Sequence, residues 1–307
     1  MTFLALLTKE MRLRMRRERT IWVIVAYILL MGLFGWLVIN SSNRSTSTGI
    51  NNWSSLGYLL YTLLLVIQIF LILFITPAFT STTINGEKER QTFDLLLCSQ
   101  LSTFSLIAGK LLAGLMNSLL LIAASIPLFS LVFFFGGVSP LQAIQALTVS
   151  VSTALVAATL GIFCSAIFQR PAVSTAITYM LVLLWLILPL IIATMAPPQP
   201  PPQANATANV TMQEPAPQLF LLWNPIVALM TTFSAPYSYF GFPRGNYHIG
   251  ALNFAPWQGY IVLNTVATGI FFLCSLWFVK PHPILWQRFH TLKNSMTKQK
   301  TEARATA

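Results

Sequence analysis

Apolar residues fall in long blocks along this chain, separated by short polar runs. Six blocks, at about 21–39, 57–78, 106–135, 143–168, 173–195 and 258–279, come close to or exceed the roughly 20 residues a helix needs to cross about 30 Å of hydrocarbon. The spacing predicts six membrane-spanning helices. The block at 106–135 is longer than a straight span requires. It is expected to begin as an extension near Lys110 and to bend near Pro127, where the missing N–H interrupts the helix ladder. Ahead of the first block, residues 2–19 place Leu4, Leu7, Met11 and Met15 at helical spacing. Charges, among them Arg12, Arg14, Arg16 and Arg17, fill most of the remaining surface. This predicts a basic amphipathic helix lying in the membrane interface. A cleaved signal peptide fits less well, because the basic region is long and no A-x-A-like site follows the first apolar block.

Composition agrees with the pattern. Of the 307 residues, 55% are hydrophobic and only 8% charged, where a soluble domain carries about a quarter. The net charge of +11 raises the question of nucleic acid, but its placement answers it. Twelve of the eighteen basic residues lie in 9–19 and 280–304, flanking the first and last spans, where such residues set topology and meet anionic lipid. No aromatic-basic platform for single strands is present, so no nucleic-acid partner is expected. With both termini inside, sixteen of the eighteen basic residues fall on the cytoplasmic side and only Arg44 and Arg244 outside. Trp22, Trp36, Trp53, Trp257 and Trp277 stand near proposed span ends, as interfacial aromatics do. The expected fold is an all-α polytopic membrane protein, N-in and C-in, forming one transmembrane domain over 1–307.

The outer loops are unequal. Residues 40–56 are rich in Ser, Thr, Asn and Gly, and 136–142 make a tight Gly-Gly-Val-Ser-Pro turn. The loop 196–257 opens with APPQPPPQANATANVTMQEPAPQ, whose prolines and small polar residues cannot build a core. Further on, Asn224-Pro225 suits a helix start, with asparagine as cap and proline in the first turn. Residues 225–234 are expected to form a short re-entrant or interfacial helix before the last span. The three cysteines, Cys98, Cys164 and Cys274, have neither disulfide nor zinc spacing. His248, His282 and His290 are isolated, and no metal site is expected.

One cytoplasmic segment stands apart. INGEKERQTFDLLLCSQ, residues 84–100, holds three of the seven acidic residues and has a net charge of −1. Asn85-Gly86 breaks the preceding helix or caps a new one. Glu87 and Glu89 then occupy a first turn, where negative charge suits the helix dipole. Glu87 with Arg90, and Arg90 with Asp94, stand at i,i+3 and i,i+4 and can pair. Phe93, Leu95, Leu96 and Leu97 supply an apolar side, giving a short amphipathic helix set crosswise between spans two and three. An acid-rich helix is repelled by an anionic leaflet and is better suited to docking a cytoplasmic protein.

The stretch GEKERQTFDLLLCSQLSTFSLIAGKLLAGL resembles the signature region of ABC-2 type transporter permeases. Glu87, Glu89, Arg90, Thr92, Leu95, Leu96, Leu97 and Lys110 stand at matching positions. Gln91 stands where that family often has glycine, and Ser99-Gln100 where proline is common. The layout of an amphipathic N-terminal helix, six spans and an external Asn-Pro helix is similar too. The resemblance implies that Glu87, Lys88, Glu89, Arg90, Thr92, Phe93, Asp94, Leu95, Leu96 and Leu97 form a coupling helix seated on a separate ABC ATPase subunit. It also implies a homodimer or a heterodimer of related permeases in the plasma (inner) membrane, acting as an exporter.

The chain carries no G-x-x-x-x-G-K-[ST] loop, G-x-S-x-G or H-E-x-x-H. It is therefore not expected to be an enzyme, and ATP and Mg are expected in the partner. Lys110, near a span entrance, is expected to reach the interface with its long stem. The spans then hold no charge of the kind ion-coupled carriers use as relays, which disfavours a secondary carrier or channel. Gln68, Asn117, Ser125, Ser152, Thr153 and Asn264 are polar positions inside the spans, better suited to helix–helix hydrogen bonds than to a path. The alternative to a transporter is an ATPase-coupled module that moves no solute and relays force to an extracytoplasmic partner through 196–257.

Overall fold

The computed structural model describes residues 18–44, 53–91, 103–195, 219–232, 247–249 and 252–279. The amphipathic stretch 2–17, with Arg12, Arg14, Arg16 and Arg17, lies outside the described residues, as does most of the loop 196–257. Six long helices make the body: α1 (Glu18–Arg44), α2 (Trp53–Thr80), α4 (Thr103–Phe135), α5 (Pro140–Ile167), α6 (Pro171–Met195) and α8 (Pro256–Val279). All six are long and apolar enough to cross a membrane. The shortest, α8, has 24 residues, about 36 Å at 1.5 Å per residue. Two short helices join them, α3 (Asn85–Glu89) after α2 and α7 (Pro225–Met230) before α8.

The helix α4 runs past Pro127 as a single element of 33 residues. A two-stranded antiparallel ribbon, β1 (Tyr247–Ile249) and β2 (Leu252–Phe254), pairs His248 with Asn253 and leads into α8. Strands of three residues are too short to leave an alternating signature, so hydropathy gives no warning of them.

Helix α5 sits at the centre, packed against α2, α4, α6 and α8. Small residues let the neighbours close in: Ala146, Ala154, Ala157, Ala158, Gly161 and Ser165 are all buried along it. Its start is fixed by a capping box. Ser139 Oγ accepts from the Gln142 N–H at 3.3 Å, and Gln142 Oε1 accepts from the Ser139 N–H at 3.0 Å, with Pro140 in the first turn. The preceding turn needs Gly136 and Gly137 at φ of 77° and 89°. Helix α1 is the most loosely held, with Tyr27 and Met31 as its fully enclosed side chains among the described residues.

Several polar groups inside the bundle are tied across helices, which offsets the cost of burying them, although Asn117 Nδ2 is buried with no hydrogen-bond partner among the described residues. Thr76 and Ser118 share a hydrogen bond of 2.7 Å, and Ser125, whose hydroxyl donates to the Ile122 carbonyl at 2.7 Å, lies 3.4 Å from Gln68 Oε1. Asn264 donates to Ser152 at 3.2 Å. The Thr153 hydroxyl proton goes to the Val149 carbonyl, so Tyr260 is the donor in their 2.8 Å contact.

At one end of the bundle, the 3-10 turn Leu219–Trp223 packs onto α6 and α8, and α7 packs onto α2, α5 and α8. Asn224 caps α7 by accepting from the N–H groups of Ile226 and Val227, as its position before Pro225 suggests. Its amide also donates to the Leu186 carbonyl, while Trp185 Nε1 donates to the Trp223 carbonyl. The opposite end carries α3.

Candidate functional site

Helix α2 ends where threonines turn their hydroxyls back onto its own carbonyls. Thr80 donates to Thr76, and Thr83 to Phe79 and Thr80. The chain then makes α3, a single helical turn. Its N-cap position is Ile84, which has no side-chain acceptor. Asn85, the residue that looks like a cap in the sequence, stands inside the helix and is buried.

The missing cap comes from α5. Ser165 Oγ accepts from the N–H groups of Ile84 at 2.9 Å and Asn85 at 3.1 Å, and donates to Asn85 Oδ1 at 3.1 Å. Two orphan donors of α3 are thus satisfied by a residue some 80 positions away. Beside it, Lys88 Nζ donates to the Ala166 carbonyl at 2.7 Å. That carbonyl belongs to the last turn of α5, where positive charge is favoured. From α6, Ser174 Oγ donates to the Ser81 carbonyl at 2.7 Å.

Helix α4 supplies the charge. Lys110 Nζ lies 2.7 Å from Glu87 Oε1 and donates to the Thr83 carbonyl at 2.9 Å. The lysine is 1% exposed and the glutamate 26%. Two sequence expectations are corrected here. Glu87 turns its carboxylate to Lys110, where the sequence suggested Arg90. Lys110 does not reach the interface, because the turn 80–91 folds across it and gives it two acceptors where it stands.

The turn closes on Gln91, whose φ of 57° is left-handed. Its N–H donates to the Lys88 carbonyl at 3.1 Å, and the Arg90 N–H to Gly86 at 3.3 Å, as in an αL helix end. Glycine enters this region freely, while a residue with a Cβ is strained there by roughly 1–2 kcal/mol. Gln91→Gly is expected to raise stability by about 1 kcal/mol net of glycine's chain entropy, and Gln91→Val to lower it. Thermal unfolding of the detergent-solubilised protein measures both. An unchanged midpoint for both variants would show that the turn relaxes at no cost.

The ten residues proposed for coupling therefore divide. Glu87 and Lys88 face the bundle's own helices. Glu89 and Arg90, with Gln91, are exposed at its end. Thr92, Phe93, Asp94, Leu95, Leu96 and Leu97 lie outside the described residues. Sequence reasoning missed Ser165, Ala166 and Ser174. The available signal was Ser165 itself, a hydroxyl in the apolar run GIFCSAIF that needs a partner. Among the described residues no three His, Cys, Asp or Glu side chains gather into a metal centre.

No curated protein matches the sequence. Among protein families, the chain matches the ABC-2 family transporter protein over residues 4–276, nearly its whole length, and it belongs to that family.

Proposed function

We propose that this chain is the membrane subunit of an ATP-driven exporter, with ATP and Mg bound by a separate ABC ATPase subunit. Six spans with both termini in the cytoplasm put α3 on the cytoplasmic side, and two such chains, alike or related, pair around the path. Residues 2–19 lie in the membrane interface, and α7 enters the outer side of the bilayer before the last span. The contact with the ATPase centres on the α3 turn and the segment that follows it to Leu97.

One observation carries this reading. The α3 turn is anchored on one face by Ser165, Ala166 and Lys110, and it presents Glu89, Arg90 and Gln91 on the other. A merely solvated loop has no need of such anchoring, whereas a docking element does, since force applied to an unanchored loop is lost in bending it.

The test is purification in mild detergent through a C-terminal tag, with stoichiometric partners identified by mass spectrometry. A Walker-type ATPase is expected with the parent chain and is expected to be lost from the double variant Glu89→Lys/Arg90→Glu. Those two residues are chosen because Glu87 is engaged internally. Recovery of the parent without any ATPase, from membranes where the complex is intact, overturns the proposal.

A further inference from the structure

The α3 turn is tied to three helices, and the ties differ in kind. To α6 it has, among the described residues, the Ser174–Ser81 bond. To α4 it has the ammonium of Lys110, a flexible four-carbon arm. To α5 it has Ser165, whose one proton and two lone pairs are all engaged by Ile84 and Asn85, and the adjoining Ala166 carbonyl held by Lys88. Of the two α5 ties, Lys88 is again a four-carbon arm, but the Ser165 tie is short and leaves no free torsion between the two backbones beyond the serine's own.

The three helices also differ as levers. Proline stands inside α4 at Pro127 and inside α6 at Pro189, and α2 carries Pro77 just before the turn. Each removes a ladder bond and gives the helix a place to bend. In α5 the one proline, Pro140, is in the first turn, where it costs no bond. The 28 residues of α5 are thus an uninterrupted rod of about 42 Å. It runs from Ser165 beside the turn to the capping box at Ser139. On the way it is bonded to α8 through Thr153–Tyr260 and Ser152–Asn264.

We infer that α5 is the element that carries displacement of the cytoplasmic turn to the far end of the bundle, with Ser165 as the positioning residue that fastens the two. Helices α2, α4 and α6 absorb part of the same displacement at their prolines, and α8 follows α5. This rests on the ATPase-docking reading above, and it adds a route that the docking segment by itself does not specify.

The experiment uses the full chain with its ATPase in lipid nanodiscs. Leu141, exposed in the first turn of α5, is replaced by cysteine, with Cys98 and Cys274 changed to serine throughout. The rate of modification at position 141 by a soluble maleimide is compared without nucleotide and with Mg-ATP plus orthovanadate. The parent is expected to show a change of about fivefold or more, the low end for linked sites. With Ser165→Ala the change is expected to fall below about twofold although the ATPase stays bound, and Ser165→Thr, which restores the hydroxyl, is expected to recover it. A merely structural serine would alter stability and leave this ratio alone. If Ser165→Ala does not purify as the complex, Lys88→Gln, which removes the Ala166 tie, replaces it with the same expectation.

A full parental change in the variant with ATPase bound overturns the α5 route and leaves the docking reading intact. So does a parent whose labelling ignores nucleotide while the ATPase is bound. A parent that holds no ATPase overturns the docking reading, and this inference falls with it.

Discussion

Replacing Glu87 with glutamine is expected to lower the thermal midpoint of the solubilised protein by about 6 °C, at roughly 2 °C per kcal/mol for a chain of this size. Glutamine keeps an amide oxygen that accepts from the Lys110 ammonium, but it leaves that charge, 1% exposed, without its counter-ion. Stranding a buried charge by removing its partner costs about 3–5 kcal/mol. Lys110→Met is expected to cost less, about 1–2 kcal/mol, although it breaks the same ion pair. The group left behind is then Glu87, whose Oε2 is enclosed but whose side chain is 26% exposed, so that a small rotation brings the carboxylate to water, and methionine fills the space of the lysine stem. The asymmetry is the informative part. Equal losses, or a larger loss for Lys110→Met, would mean that the ammonium finds solvent in the native protein. The double variant is expected to resemble Lys110→Met, since the glutamine's harm depends on the charge it abandons.

The next largest effect is expected where α2 crosses α4 and α5. Thr80 is wedged between two glycines. A methyl group on Gly114 would come 2.5 Å from Thr80 Cγ2, and one on Gly161 would fall on Thr80 Oγ1. Both Gly114→Ala and Gly161→Ala are therefore expected to destabilise, by about 1–3 kcal/mol each, as overpacked sites do. Their rescue differs. Thr80→Ser removes Cγ2, after which the nearest atom to a Gly114 methyl is Thr80 Cβ at 3.8 Å, an ordinary contact. The serine keeps the oxygen that faces Gly161, with Thr80 Cβ at 2.9 Å and the Ser81 nitrogen at 3.2 Å behind it. Thr80→Ser should restore Gly114→Ala and leave Gly161→Ala impaired. Thermal midpoints of the four variants decide this, and rescue of both or of neither would show that the helices shift to make room.

These two sites show what the sequence could and could not disclose. Six long apolar helices follow from hydropathy alone, because lipid requires length and apolarity from every span. The family is recognisable from the order of residues after the second span. The geometry of that segment was hidden, since its partners are distant in the chain. Glu87 has a suitable cation three residues away in Arg90, and local spacing favours that pair. The turn nonetheless brings Lys110 closer and excludes water around it, so the longer-range pair wins. Asn85 likewise has the chemistry of a cap but spends its carbonyl on Ser165. Gln91 is the instructive exception. Glutamine gives no hint of a left-handed backbone, yet it occupies a position where the resemblance noted above implies glycine, and φ there is 57°. The departure from the family pattern marked the one described residue with a side chain at positive φ.

The borrowed cap on α3 also bears on how the protein is made. Chains emerge from the ribosome N-terminus first, and segments settle as their partners arrive. When α2 and the turn after it have been synthesised, Ile84 and Asn85 have no acceptor and Glu87 has no lysine. Lys110 comes next, but Ser165, Ala166 and Ser174 come only with the end of α5 and the start of α6. The turn is thus completed late, after four of the six long helices have been made and the fifth has begun. A nascent or truncated chain lacking those helices carries an unfastened turn, and the docking surface proposed above is complete only on a chain whose central helix is in place.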